Sequence, residues 1–166
     1  HRPDVTDRRM LCWDWLPQDW MDEARYFLPD QWFETEIMAE GGVKAEYDRV
    51  SDSLDALLDA HGYRRQGRLH DAVRPNNDVL VFFCHFGVEC VLLSHLLNIS
   101  PMPLWHGTCA APTSVTTVVT EERRRGIASF RMGAFGDTSH LYKCGEPPSF
   151  SARFRECYDN GWERRD

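Results

Sequence analysis

Between residues 78 and 97 the chain reads Asp-Val-Leu-Val-Phe-Phe-Cys-His-Phe-Gly-Val-Glu-Cys-Val-Leu-Leu-Ser-His-Leu-Leu, an apolar run that changes period at one histidine, His85. Residues 79–84 are all apolar and mostly β-branched or aromatic, and the turn signal Asn76-Asn77 precedes them. That pattern predicts a strand buried on both faces. From Gly87 onward Val88, Val91, Leu92 and Leu96, flanked by Leu93 and Leu97, predict a buried helix closing near Asn98 and Pro101. Upstream, Val43, Tyr47, Val50, Leu54, Leu57 and Leu58 step by three or four, which predicts an amphipathic helix ended by His61-Gly62. Arg64, Arg65, Arg68 and Arg74 then form a basic cluster expected in a solvated loop. Hydroxyl and Val residues alternate from 114 to 120, and residues 127–132 answer them across a charged tip that ends in Gly126, as in a β-hairpin. Phe150, Phe154 and Cys157 at helical spacing predict a last helix over 149–158, packed on the domain or on a second subunit of a homo-oligomer.

Residues 1–39 break this regularity. Trp13, Trp15, Trp20, Tyr26, Phe27, Trp32 and Phe33 alternate with acidic residues and with Pro17 and Pro29, as in a cap or insertion. Such rings either fill a loop-rich core or wall a substrate pocket. The 166 residues, 42% hydrophobic and 27% charged, suit one globular domain with the cap at 1–39 and the rest of the core at 40–166. A formal net charge of -7 argues against nucleic-acid or anionic-membrane partners. Asp78, His85 and Glu89 interrupt the best apolar run well short of the roughly 18 residues a membrane span needs. The six cysteines show no Cys-x-x-Cys spacing, so reduced thiols in a cytoplasmic protein are expected, with no metal and no cofactor.

A strand that becomes a helix through His85-Phe86-Gly87 leaves the histidine at the strand's carboxyl end, where open α/β sheets bind ligands. The backbone N–H groups of Phe86 and Gly87, at the positive end of the helix dipole, favour an anion such as phosphate. The competing reading is a core histidine with its hydrogen bonds satisfied. His106 and Thr113, in the loop expected after the helix, are further candidates for a pocket; for His106 the alternative is an ordinary loop residue.

Four segments carry a resemblance. Val81-Phe-Phe-Cys-His-Phe-Gly-Val-Glu89 resembles the second catalytic histidine motif of the histidine phosphatase superfamily, also called phosphoglycerate-mutase-like. Glu40-Gly-Gly-Val-Lys-Ala-Glu-Tyr-Asp-Arg-Val50 is similar to the family's Gly-rich helix start with a following Arg, here Arg49. Ala111-Pro-Thr-Ser-Val-Thr-Thr-Val-Val119 is similar to the strand after the His helix, and Phe135-Gly-Asp-Thr-Ser-His-Leu141 to a closing segment. The match spans roughly residues 36 to 145 in the family's order. It implies a three-layer α/β fold, a mostly parallel sheet with helices on both faces. It also implies metal-independent hydrolysis of a small-molecule phosphate monoester through a phosphohistidine, with His85 donating to the phosphoryl oxygens. The nucleophile of the family lies in an Arg-His-Gly motif that occurs nowhere in these residues. The resemblance therefore implies a domain incomplete at its N-terminus, inactive by itself, with nucleophile and general acid upstream. Mutase-type phosphoryl transfer and a catalytically silent phosphate-binding module are the alternatives, and an assembly role through the Trp-rich segment is the reading outside this chemistry.

Overall fold

The computed structural model describes residues 11–149 except Asp14. The expected helix over 149–158 therefore lies outside the described residues. The chain divides into two compact units, one comprising His1–Thr108 with Thr120–Arg131, the other Cys109–Val119 with Met132–Asp166.

In the first unit, the described residues between 11 and 35 run through short 3-10 turns at Pro17–Asp19, Ala24–Phe27 and Trp32–Glu34, without strands. Their rings supply much of the interior: Trp32 is fully enclosed, and Trp20, Tyr26 and Met38 are buried. Trp32 meets Tyr47 and Trp105 edge-on, with ring centroids 5.2 and 5.7 Å away. A short helix α1 (Glu36–Glu40) leads to α2 (Val43–Ala60), whose Ser51, Leu54 and Leu58 face inward as the three-to-four spacing predicts. Helix α2 stops at Gly62, which has φ +91°; any side chain there would collide with the Arg74 carbonyl 2.5 Å away.

The stretch expected to be a solvated basic loop is a β-hairpin instead. Strands β1 (Tyr63–Gln66) and β2 (Leu69–Ala72) pair antiparallel about Gly67, with φ +60°. Tyr63, Ala72 and buried His70 face the core, while Arg64, Arg65 and Arg74 find carboxylates or carbonyls on α2. Helix α3 (Phe86–Leu97) ends on Asn98 in the left-handed conformation, close to its predicted bounds. Helix α4 (Pro101–Gly107) is capped by Ser100, whose Oγ accepts from the Met102 N–H and donates to the Tyr26 carbonyl. Strands β3 (Val115–Arg124) and β4 (Ile127–Asp137) form the predicted hairpin, longer than expected because the charged residues 121–124 pair as strand.

The fold expectation is overturned. The structure has one small sheet of four strands in the order β1-β2-β4-β3, with β1 and β4 both antiparallel to β2, and no three-layer, mostly parallel sheet among the described residues. Residues 79–84, expected at the centre of that sheet, belong to no strand. Leu80 alone is seated there, against the core of Leu54, Leu58, Tyr63, Ala72 and Ala128. Val79, Val81 and Phe83 are 83%, 70% and 97% exposed. An all-apolar run acts as a buried strand only where neighbours cover both faces and both edges, and here, among the described residues, only one face has a neighbour.

In the second unit, the turn Ala111-Pro-Thr-Ser114 enters β3 through Thr113, which adopts φ +67°. Asp137 receives the N–H of Ser139 at 2.7 Å at the start of α5 (Ser139–Lys143), which holds its carboxyl below the usual carboxylate range.

Candidate functional site

The start of α3 is built from the chemistry of its first turn. His85 is the N-cap, with extended backbone (φ -87°, ψ 156°), and its carbonyl accepts the first intrahelical bond, from the Glu89 N–H. The N–H groups of Phe86, Gly87 and Val88 are left without an intrahelical acceptor, and no side chain among the described residues caps them. His85 is exposed, so the reading of it as an enclosed core histidine does not describe its position. Its imidazole, three open amides and the positive end of a twelve-residue helix share one accessible spot. Glu89 in the same first turn carries a charge that opposes an anion.

The aromatic segment reaches this spot. A methyl group on Gly87 would stand 3.1 Å from Cε3 and 3.2 Å from Cζ3 of Trp13, so only glycine lets the indole lie against the helix start. The Gly87 carbonyl accepts from Trp105 Nε1 at 3.0 Å, and Trp105 packs with both Trp13 and Trp32. Trp13 thus borders the histidine's helix while Trp20 and Trp32 are structural, a division that alternating aromatics and acids do not reveal.

His106 has another use. Its Nε2 accepts the Trp15 N–H at 3.3 Å, which places the proton on Nδ1, 3.0 Å from the Met102 carbonyl, and the ring lies 5.0 Å from that of Trp20. Both nitrogens are thereby engaged in holding the aromatic segment to α4. Thr113 belongs to the other compact unit. A β-branched residue at positive φ costs on the order of 1–3 kcal/mol and is retained where the surroundings impose it, so Thr113 is the strained position of the set. Arg49 pairs with Glu46 on the exposed face of α2, the ordinary surface pairing.

A second polar constellation escaped the sequence reading. At the other end of α3, Arg65 Nε lies 2.8 Å from both carboxylate oxygens of Asp55, and its Nη2 donates to the His95 carbonyl at 3.2 Å. His95 Nε2 stands 2.9 Å from Asp55 Oδ1. Burial lowers the pKa of His95, with the Arg65 charge assisting. His70, enclosed nearby with neither ring nitrogen hydrogen-bonded, is pushed down to about 4, chiefly by burial. These residues are five to forty positions apart, and no local spacing announces them.

The cysteines at 12, 84, 90 and 144 are free thiols. Burial pushes Cys90 up to about 12 and Cys12 up to about 11, which keeps both protonated. Among the described residues no group of three histidine, cysteine or acidic side chains is placed to hold a metal ion. No helix among them is long and apolar enough to cross a membrane. No family model matches this chain, and no curated protein or solved structure gives a significant match.

Proposed function

We propose that this chain is part of a metal-independent phosphomonoesterase of the histidine phosphatase type, acting on a small-molecule phosphate ester. The carrying observation is the accessible His85 imidazole at the N-cap of α3, beside three open amides. Those donors suit the equatorial oxygens of a phosphoryl group, on which negative charge is concentrated during transfer. In this reading the nucleophilic histidine and the general acid are supplied from outside these 166 residues. His85 stabilises the transferring group, and the amides of Phe86 and Gly87 add fixed dipoles that need no reorganisation. Trp13 flanks the ester's leaving-group side as an apolar wall. Free thiols at Cys84 and Cys144 favour a reducing compartment, and we place the protein in the cytoplasm.

The test is hydrolysis of an aryl phosphate by the native polypeptide, compared with His85→Ala. Loss of the donor should lower kcat/KM by about 100-fold or more, with turnover insensitive to chelators. Tight phosphate or vanadate binding without turnover would assign a silent binding module instead. Equal activity in the two proteins would remove His85 from the reaction.

A further inference from the structure

In β2 and β4 the buried residues His70, Ala72 and Ala128 face the core, so Leu69 and Ile127, one step along, face outward and are 47% and 40% exposed. They floor a cavity of about 150 Å³ at the end of the β3-β4 hairpin, bordered by Ser129 and, from β3, by Glu121, Arg123 and Arg124, all within the first unit. Residues 121–131 hold four arginines and two glutamates in a chain of formal net charge -7. Both glutamates are engaged inside the hairpin: Glu121 Oε2 lies 2.6 Å from Arg131 Nη2, and Glu122 Oε1 accepts the Gly126 N–H. Arg123, Arg124 and Arg125 are exposed, and none of their guanidinium groups is paired among the described residues. Asp71, opposite Ile127 in the register, is an opposing charge on the same face, outnumbered by these three. Protection of the edge strand β3 asks for charge alone; it does not account for two bare aliphatic side chains beneath unpaired guanidinium groups.

We propose that this cavity docks a short acidic segment of a partner protein, one that presents a single aromatic or branched aliphatic side chain between carboxylates. The apolar side chain covers Leu69 and Ile127, and the carboxylates take the forked donors of Arg123 and Arg124, with Arg125 at the rim. A small apolar anchor ringed by polar contacts is the usual composition of an energetic centre in a protein interface. Size and charge select this occupant over others. A free phosphate or carboxylate would pair with the arginines and leave the floor bare. A drug-sized ligand needs roughly 300 Å³ or more to be enclosed, whereas about 150 Å³ accepts one ring or one branched chain. A nucleic acid would meet the net negative charge along its length, while a short segment meets only the basic tip. The proposal is independent of His85 and of the phosphatase reading.

Fluorescence anisotropy of three labelled peptides with the native polypeptide tests this: Glu-Glu-Phe-Glu-Glu, Glu-Glu-Gly-Glu-Glu and Lys-Lys-Phe-Lys-Lys. The first should bind at least about tenfold tighter than the second, and the third should not bind. Arg123→Ser with Arg124→Ser should weaken the first by about tenfold or more, and Ile127→Ser should erase its advantage over the glycine peptide. Arg64→Ser removes the same charge from the opposite edge strand, β1, and should leave binding unchanged. All these positions are exposed or at the rim of the cavity, so each variant should keep the melting temperature of the parent. Equal affinity for the phenylalanine and glycine peptides, binding that ignores the two arginine substitutions, or no binding at all would each overturn the proposal. So would a concentration-dependent dimer abolished by Arg123→Ser with Arg124→Ser, which assigns the cavity to a second copy, whose Glu36-Ile37 is an exposed acidic and apolar pair on α1.

Discussion

Helix α3 has two ends made from similar residues and put to opposite uses. At its N-terminus a histidine and three amides are uncapped by any described side chain, while Trp13 and Trp105 pack on the glycine. At its C-terminus another histidine is enclosed by Asp55 and Arg65, and the terminal carbonyls are taken by Arg65 and by the Asn98 turn. The difference is one of surroundings: the C-terminus is covered by α2 and the β1-β2 hairpin, whereas the N-terminus follows a segment with nothing among the described residues on its outer face. Covered polar groups must be paired and so rigidify the fold; open ones remain available to a ligand.

The largest expected effect comes from breaking the covered end. Asp55→Ala leaves the Arg65 guanidinium, which is 16% exposed, without its carboxylate. It should cost about 3 kcal/mol of unfolding free energy in urea, with no change in whatever activity His85 supports. Acid attacks the same end without mutation. His70 and His95 are held below their ordinary pKa, so the unfolded chain binds more protons than the folded one beneath pH about 6.5. Stability is full above that value and falls as pH drops toward about 4, and His70→Phe should flatten the decline in a denaturation series at pH 4 to 7. Next comes the C-terminal turn. Asn98→Ala forces an ordinary residue into φ 56° and removes the bond to the Arg68 carbonyl, for a loss of about 1 kcal/mol. The smallest effect belongs to the open end, where His85→Ala should change stability by less than about 0.5 kcal/mol. A larger loss would mean that His85 is structural and that the two ends do not differ in kind.

Where local pattern decides structure, the sequence was readable. The 3.6-residue spacing located α2 and α3, His61-Gly62 marked the stop of α2, and period-two alternation about a charged tip located the β3-β4 hairpin. Placement of His85 at a helix start followed from the change of period alone. What failed depended on distant partners. The basic residues 64–74 looked solvated because their carboxylates lie on α2 and the hairpin's alternation is masked by long arginine side chains. The parallel sheet failed because a continuous apolar run states a requirement for neighbours without supplying them. His106 was invisible as a structural residue, since its partner Trp15 lies 91 positions away.

The packing of Trp13 on Gly87 has an optical consequence. An indole in van der Waals contact with the helix turn that carries the open amides senses the local electric field, and an anion arriving there changes that field at a distance of a few ångströms. Intrinsic fluorescence is thus a direct readout of occupancy. In a chain with six tryptophans, the part of the signal that responds to vanadate should vanish in Trp13→Phe and persist in Trp20→Phe, whose ring is buried beside Phe27 and His106.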